Sequence, residues 1–273
     1  MTDSVPSLKV VLVEPAGERN VGAIARVMKN FGYRQLVLVN PQCSWQSKAA
    51  ADMAVHAKDI LTAAQVVSSV PEALTGCSRA IATTARARRE ILLEGPQPAF
   101  QWLLQEPAAL IFGPEDRGLS NEELQHAQRY VCLPTSTEYP SLNLAQSVGI
   151  CLYELAKLDR EQKFQTSTPS SETLQGAESS LPIGQHPSRL EKSAPIEQLE
   201  GYYQQLEALL LKVGFLYPHT AASRMQKLRQ LFNRAQPADT EVAMLRGIIS
   251  QIEWALSVSG YSTDSSEEGS QQS

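Results

Sequence analysis

Apolar runs alternate with amphipathic stretches over the first 163 residues of the chain. Buried strands are expected at 8–14, 35–41, 79–85, 108–114 and 129–135, with a further short one in AQVVSSV (64–70). Between them, the spacing of apolar residues predicts helices near 20–32, 47–61, 70–77, 97–106 and 121–127, and a long one at 143–162. Continuously apolar strands separated by helices are typical of a mostly parallel sheet covered on both faces. The predicted fold class is therefore α/β, with ligands bound outside the carboxyl ends of the strands.

The composition changes after this alternating region. Residues 164–194 are rich in Ser, Thr, Pro, Gly and Gln, so they cannot bury enough apolar surface to offset their ordering entropy. From Pro195 the apolar spacing predicts three helices, and the last residues are expected to be disordered. The predicted organisation is an α/β domain at 1–163, a flexible linker at 164–194, a helical domain at 195–259 and a tail at 260–273.

Charge and cysteine usage narrow the class of protein. The net charge is −5, but residues 1–163 carry 16 Lys and Arg against 17 Asp and Glu, and residues 195–259 carry six of each. A nucleic-acid surface would therefore have to be a local basic patch. Four scattered cysteines in apolar stretches indicate free thiols in a reducing cytoplasm. No signal peptide, membrane span or metal-ligand spacing is found, so a cytoplasmic protein without membrane or metal partners is expected.

The first stretch with candidate chemistry is ERNVGAIARVMKNFG (18–32), which follows a strand but lacks the G-x-G-x-x-G phosphate loop. Its apolar face is expected to cover the sheet, leaving Gly22 and Arg26 to point outward. A glycine beside an arginine on an outward face indicates close approach of another backbone or a ligand. The alternative is that Asn20 only caps the helix and Arg26 is a solvated charge.

Two further stretches follow later strands. In LIFGPEDRGLSNEEL (110–124), Glu115 and Asp116 would lie at the mouth of the ligand crevice, although an ordinary connection with solvated charges is the alternative. In CLPTSTEYPSLNLAQSVGICLYEL (132–155), Ser141 or Asn143 either serves the site or only caps the helix. That helix is expected to present two outward faces. They consist of Leu144, Val148, Leu152 and Leu155, and of Ala145 and Gly149.

A basic cluster follows another strand, in TTARARRE (83–90). Arg86, Arg88 and Arg89 make it the densest cluster of positive charge in the chain. This cluster either contacts phosphates or is a solvated run of charges, and the sequence does not distinguish the two interpretations.

In combination, NVGAIAR, IFGPEDRGLS and YPSLNLAQSVGICLYE resemble, in order and spacing, the three motifs of the SPOUT class of RNA methyltransferases over residues 8–160. The C-terminal LLLKVGFL, KLRQLFNRA and EVAMLRGIISQIE resemble the helical extension of the TrmJ family of tRNA 2′-O-methyltransferases. The resemblance implies a trefoil knot at the end of the α/β domain, S-adenosylmethionine as cofactor and a homodimer. It also implies methylation of the ribose 2′-hydroxyl of cytidine or uridine at position 32 of the tRNA anticodon loop.

The resemblance also assigns residues, position by position. Cofactor binding is expected from three loops that contain Thr83, Thr84, Ala85, Gly113, Pro114, Glu115, Gly118, Val131, Leu133, Ser141 and Leu142. The expected catalytic residues are Arg26, Asn20, Glu115, Ser141 and Asn143. RNA contacts are expected from Arg19, Arg26, Arg86, Arg88 and Arg89.

Arg26 is the central residue of this interpretation. A guanidinium has a pKa above about 12 and is a poor base. Arg26 is therefore expected to be a fixed donor that orients the ribose or phosphate and stabilises the developing alkoxide. The other four residues would support it, and a substrate phosphate could take the proton.

Small residues on two helices and basic residues in the helical domain lead to two further expectations, one on the homodimer and one on RNA binding. Gly22 with Ala25, and Ala145 with Gly149, would pack closely across the homodimer. Basic residues of the helical domain would extend the RNA surface, although a structural cap is the alternative. These residues are Arg224, Lys227, Arg229 and Arg234.

Three competing functions follow from the same residues. One is a SPOUT enzyme for ribosomal RNA, and another is a non-catalytic RNA-binding module. A nucleotide-dependent oxidoreductase is disfavoured because the glycine fingerprint is missing.

Overall fold

The computed structural model describes residues 7–84, 92–167 and 192–259. Seven strands form one sheet, in the order β3-β2-β1-β6-β4-β7-β5, and every pairing is parallel. The strands are β1 (Leu8–Val13), β2 (Gln35–Val39), β3 (Gln65–Val67), β4 (Arg79–Thr83), β5 (Leu93–Glu94), β6 (Ala108–Phe112) and β7 (Arg129–Val131). The predicted α/β class with a parallel sheet is confirmed. The short β3 falls within the stretch AQVVSSV, whereas β5 was not predicted, because two residues carry no periodic signal.

Helices connect the strands and form the C-terminal region. They are α1 (Glu18–Asn30), α2 (Lys48–Ala54), α3 (Lys58–Thr62), α4 (Val70–Ala73), α5 (Pro96–Leu103), α6 (Asn121–Leu124), α7 (Leu144–Ser167), α8 (Ile196–Lys212), α9 (Pro218–Ala235) and α10 (Asp239–Ser259). The single helix predicted at 47–61 is divided, because Val55 adopts a φ of 54° that ends α2.

Alternate residues of the strands face two separate cores. Val10 and Leu12 pack with α1, α5 and α7 on one face, while Val11 and Val13 pack with α4 and α6 on the other. This burial on both faces explains why the strands are continuously apolar. The carboxyl ends of β4, β6 and β7 are therefore held at one edge, where their loops meet.

The packing of α1 corrects one expectation. Gly22 does not point outward, since a Cβ at this position would lie 2.2 Å from the carbonyl oxygen of Ala50 in α2. Gly22 and Ala25 are both buried, so this small face packs against other parts of the same chain and is not free for a partner. A glycine is needed at 22 because the two helix backbones approach too closely for any side chain.

Of the two faces expected to be outward on α7, the first is inward and the second, Ala145 with Gly149, is half-buried. Leu144, Val148, Leu152 and Leu155 are buried in the core shared with α1 and α5. A Cβ on Gly149 would meet Val27 of α1 at an ordinary 3.9 Å. The apolar stripe of α7 therefore covers the sheet domain itself.

The three C-terminal helices have their own core and dock on the sheet domain. The N–H of Ile196 donates to the carbonyl of Cys77 at 2.9 Å, and the Asn233 amide donates to the carbonyl of Ala127 at 3.3 Å. The Trp102 indole donates to Gln236 at 3.1 Å. Cys77, Ala127 and Trp102 all precede strands, so the docking contacts lie at the amino ends of β4, β7 and β6.

One residue of α9 differs from the sequence-based expectation. Arg229 is 8% exposed and donates to both carboxylate oxygens of Glu200, at 2.6 and 2.7 Å. It is therefore part of the domain core and not of a basic surface. Leu231, in contrast, is half exposed.

The described residues reach into both ends of the linker predicted at 164–194. Helix α7 continues to Ser167, and Ser193 pairs with Ala238 in an isolated bridge. The tail at 260–273 lies outside the described residues, as does most of the linker.

Candidate active site

A cavity of about 160 Å³ opens at the carboxyl ends of β4, β6 and β7. Ten residues expected at the cofactor site line it: Thr83, Thr84, Gly113, Pro114, Glu115, Gly118, Val131, Leu133, Ser141 and Leu142. The eleventh, Ala85, lies outside the described residues, as do Arg86, Arg88 and Arg89. Asp116, expected at the mouth of the crevice, also lines the cavity. Further lining residues that were not predicted from the sequence are Phe112, Arg117, Leu119, Thr135, Pro140, Leu144 and Ser147. Three loops far apart in sequence thus form one site.

The loop after β6 is folded too tightly for a side chain at its first position. A Cβ on Gly113 would lie 2.4 Å from the backbone nitrogen of Leu119 and 2.5 Å from the carbonyl carbon of Gly118. Gly118 itself has a φ of +67°, which favours glycine. Both glycines are therefore required for the shape of the cavity wall.

Arg117 fixes this loop to the end of β1. Its guanidinium donates to both carboxylate oxygens of Glu123, at 3.0 and 2.9 Å, and to Glu14 at 2.7 Å. Glu123 in turn closes a capping box with Ser120 at the start of α6. These hydrogen bonds, first to Glu123 and then to Glu14, raise the pKa of Arg117 above its ordinary value. Glu14 was not predicted as a site residue, because its only signal in the sequence is a charge directly after a buried strand.

Three polar side chains, one from each motif, form a hydrogen-bonded line beside the cavity. The Asn20 amide nitrogen donates to Glu115 Oε1 at 2.8 Å, and the Asn143 amide nitrogen donates to Asn20 Oδ1 at 3.1 Å. Asn143 Oδ1 accepts from the N–H groups of Ala145 and Gln146 at 2.9 and 3.4 Å, which caps α7. An ionised carboxylate can only accept, so Glu115 fixes the orientation of Asn20 and, through it, that of Asn143.

The Glu115 carboxylate also occupies the start of α1. It accepts from the N–H groups of Ala16 and Gly17, each at 3.2 Å. Partial burial alone would raise the pKa of Glu115, but the hydrogen bonds from Asn20, Ala16 and Gly17 outweigh it and lower the pKa. Gly17 leaves room for this contact, since a Cβ there would lie 3.0 Å from Glu115 Oε1.

The alternative interpretation of Asn20 as a helix cap is therefore wrong. The N-cap position of α1 is Gly17, and Asn20 lies within the helix with its side chain directed at Glu115. Asn143, in contrast, both caps its helix and belongs to the line of polar side chains. Ser141 is exposed and lines the cavity.

Arg26 is placed differently from the other expected catalytic residues. It is exposed on α1, and it makes no hydrogen bond or ion pair with any residue that the structure describes. Arg19, seven positions earlier, is exposed on the same face. Neither arginine is among the described residues that line the cavity of this chain.

Metal-binding and membrane-spanning features are both absent from the described ranges. No group of three or more His, Cys, Asp and Glu side chains in residues 7–84, 92–167 and 192–259 could hold a metal ion. Over the same residues, no helix is long and apolar enough to cross a bilayer.

Comparisons with known proteins give two family matches. A family model described as the SpoU rRNA Methylase family matches residues 7–153. A second, described as the tRNA methyltransferase TrmJ, C-terminal domain, matches residues 197–262.

Relatives with similar sequences and structures match along almost their whole length. The chain is 38% identical to the tRNA (cytidine/uridine-2′-O-)-methyltransferase TrmJ of Pectobacterium atrosepticum, over 90% of this chain and 97% of that protein. It is 35% identical to the protein of the same name in Escherichia coli K12, over 90% and 95%. The crystal structure of TrmJ from Z. mobilis ZM4 superposes with a TM-score of 0.75 at 31% identity, covering 92% of this chain and all of that one.

Proposed function

The chain belongs to the SpoU rRNA methylase family and, within it, to the TrmJ proteins, and from this premise we propose that it is a tRNA ribose 2′-O-methyltransferase. We propose further that its target is cytidine or uridine at position 32 of the anticodon loop. The observation that carries the proposal is that one cavity at the carboxyl edge of the sheet is lined by all three loops expected to bind the cofactor. Beside it, Asn20, Glu115 and Asn143, one from each of the three motifs, are joined by hydrogen bonds.

The cavity fits S-adenosylmethionine, the cofactor of this activity. Most of its lining residues are glycine, proline, apolar or hydroxyl residues, among them Thr83, Leu133 and Leu142. The three described charged side chains at the wall are already engaged: Glu115 accepts from the start of α1, Arg117 donates to Glu14 and Glu123, and Asp116 accepts from the N–H of Arg117. Such a lining suits the adenosine part of the cofactor, with backbone groups binding the adenine and ribose. When bound, the cofactor supplies a methyl group that the sulfonium has already activated.

The residues of the chain would then position the ribose for an in-line displacement. A guanidinium carries five N–H donors and no acceptor, so Arg26 would act as a donor toward the ribose oxygen or the adjoining phosphate. Glu115, Asn20 and Asn143 hold the starts of α1 and α7 in register with the cofactor loops. Much of the rate would come from this positioning.

A homodimer would complete this site. Arg26 does not line the cavity of its own chain, and exposed apolar side chains lie nearby on α7. Ile150 and Tyr153 are 41% and 54% exposed, and Tyr153 packs edge-on against Phe31, which directly follows α1. An interface formed by α1 and α7 would bury this apolar surface and bring Arg26 toward the partner.

We also propose the trefoil knot of the SPOUT class. The strand order supports it, because β7 lies between β4 and β5. Because β4 and β7 are parallel neighbours, the chain leaves both strands at adjacent positions on the carboxyl edge of the sheet. Knots are rare in proteins, so this topology would be a feature of the family and not of parallel sheets in general.

The predicted organisation is retained as part of the proposal. The α/β domain at 1–163 carries the site, residues 164–194 tether it to the helical domain at 195–259, and residues 260–273 form a tail. The same proposal places the enzyme in the cytoplasm, where tRNA is modified.

The test is methyl transfer from labelled S-adenosylmethionine to unmodified tRNA transcripts, with the modified nucleotide mapped. A matched transcript carries a 2′-deoxynucleotide at position 32. Signal that disappears with this transcript supports both the target atom and the position. Signal that persists would overturn position 32 alone, and transfer to ribosomal RNA only would overturn the tRNA assignment.

A further inference from the structure

The turn between α8 and α9 carries aromatic rings that are exposed yet held in place. Phe215 and Tyr217 are 59% and 54% exposed. The ring of His219 stacks on Tyr217 with centroids 6.0 Å apart and an interplanar angle of 24°. Arg224 lies over Phe215 at 5.8 Å and donates to its carbonyl oxygen at 2.8 Å. These rings are oriented by local contacts but remain open on their outer faces.

The helix that follows these rings carries charge of one sign. Helix α9 contains four Lys and Arg residues and no Asp or Glu. One of the four, Arg229, is buried against Glu200, but Arg224, Lys227 and Arg234 are exposed and form no ion pair with a described residue. Lys212 at the end of α8 is also exposed. A local positive surface therefore exists on a chain whose net charge is −5.

The position of this turn separates it from the candidate active site. The other end of α9 is fixed to the sheet domain through Asn233 and Gln236, at the amino ends of the strands. With 18 residues, α9 is about 27 Å long. The turn lies at the far end of that helix, and none of its residues lines the cavity.

We propose that this tip, defined as Lys212, Phe215, Tyr217, His219 and Arg224, is a second RNA site that binds unpaired bases of tRNA outside the anticodon arm. The bases stack on Phe215 and Tyr217, while Arg224 and the nearby Lys227 contact phosphates. Every base has a flat π-face, so such a site accepts unpaired nucleotides without a strict sequence requirement. The inference rests on the proposed tRNA substrate.

The combination of rings and charge favours RNA over a protein partner. Helix α10 also exposes apolar side chains, at Met244, Ile248, Ile252 and Trp254, but its one Lys or Arg residue, Arg246, is half-buried and donates to Gln205. The same helix carries three acidic residues, Asp239, Glu241 and Glu253. At the tip, aromatic faces lie beside cations without a described acidic partner, which is complementary to bases and phosphates.

The experiment compares two RNAs and four proteins. Full-length tRNA and an isolated anticodon stem-loop are each assayed for binding and for methyl transfer. The proteins are the wild type, the double variant Phe215→Ala with Tyr217→Ala, the ring-preserving double variant Phe215→Tyr with Tyr217→Phe, and Leu231→Ala. Leu231 is exposed on the same helix, so its variant controls for loss of an apolar side chain.

The alanine double variant should raise the Kd and KM for full-length tRNA by about tenfold or more, since stacked bases contribute this much on alanine substitution. Its kcat, its affinity for the stem-loop and its circular dichroism should match the wild type. The ring-preserving variant and Leu231→Ala should both behave as the wild type.

The remaining outcomes separate this inference from the proposed function. If the alanine double variant lost equal affinity for full-length tRNA and for the stem-loop, a site outside the anticodon arm would be overturned. If it lost affinity for neither RNA, RNA binding at the tip would be overturned. An altered oligomeric state with unchanged tRNA affinity would show a protein interface there instead. If the wild type binds tRNA without methylating it, the enzymatic proposal fails, whereas loss of that binding in the alanine variant would still support the tip.

Discussion

Asn20 and Glu115 are 95 positions apart in the chain, yet their side chains are joined by a 2.8 Å hydrogen bond. Because the same carboxylate accepts from two backbone N–H groups at the start of α1, it acts as a cap supplied by another loop. Asn143 continues the line and caps α7. The starts of the two helices that flank the site are therefore fixed by one shared set of hydrogen bonds.

Asn143 has two roles that substitution can separate. In Asn143→Asp the carboxylate still accepts from Ala145 and Gln146, so the cap of α7 is kept, but it cannot donate to Asn20. We expect methyl transfer to fall at least tenfold with little change in the melting temperature. Asn143→Ala should lose activity and also about 1 kcal/mol of stability. Full activity of the aspartate variant would show that the bond to Asn20 is dispensable.

Arg26 should contribute to the reaction without contributing to the fold. Since it is exposed and makes no described contact, Arg26→Ala is expected to abolish methyl transfer and leave the melting temperature unchanged. Cofactor affinity, measured by calorimetry, should stay within about twofold because Arg26 does not line the cavity of its own chain. Arg26→Lys should not restore the rate, since an ammonium lacks the planar fork of donors. Equal loss of cofactor binding and transfer would contradict this role.

Arg117 is expected to act through the shape of the cofactor loop. Arg117→Gln releases the loop from both Glu14 and Glu123, so we expect about a tenfold loss of cofactor affinity. Glu14→Gln removes the charge of only one of the two carboxylates that bind Arg117, so it should weaken cofactor binding less. Titration calorimetry with S-adenosylmethionine checks both. An unchanged dissociation constant in Arg117→Gln would show that the loop keeps its shape without these bonds.

Two glycine-to-alanine variants should have opposite effects on stability. Gly22→Ala places a methyl group 2.2 Å from the carbonyl oxygen of Ala50. The resulting overpacking should lower the free energy of unfolding by about 1–3 kcal/mol, which outweighs the gain in helix propensity. A Cβ added at Gly247, in α10, would have no described neighbour within 4 Å, so Gly247→Ala should stabilise by about 0.5–1 kcal/mol. Urea unfolding measures both. A stable Gly22→Ala variant would indicate that α1 and α2 can separate without cost.

Glu200 should make the stability of the helical domain depend on pH. Burial would raise its pKa, but hydrogen bonds from Arg229 and His126 outweigh burial and lower the pKa to about 2, from 4.5. A lowered folded-state pKa means that this stabilisation is present above about pH 4.5 and is lost as the pH falls toward 2. Urea midpoints between pH 6 and pH 3 should fall less steeply in Glu200→Gln than in the wild type. The exposed Glu138→Gln is the control, and identical slopes in all three proteins would contradict the prediction.

The sequence by itself determined the class of the fold and the loops of the candidate site. Continuous apolar runs such as those of β1 and β6 identify strands buried on both faces, because that burial leaves no polar alternation. Residues that directly follow a parallel strand must lie at its carboxyl edge. Ten of the eleven residues expected around the cofactor therefore line one cavity, although their roles remain predictions.

Only the tertiary structure decided which residues face each other. A glycine has no side chain, so the apolar pattern could not show that Gly22 faces α2 and not a partner subunit. The bonds of Arg117 to Glu14 and of Arg229 to Glu200 depend on strand order and helix packing, which bring distant residues together. Local periodicity specifies the apolar face of each element, but the neighbour of that face is set by the packing of the whole chain.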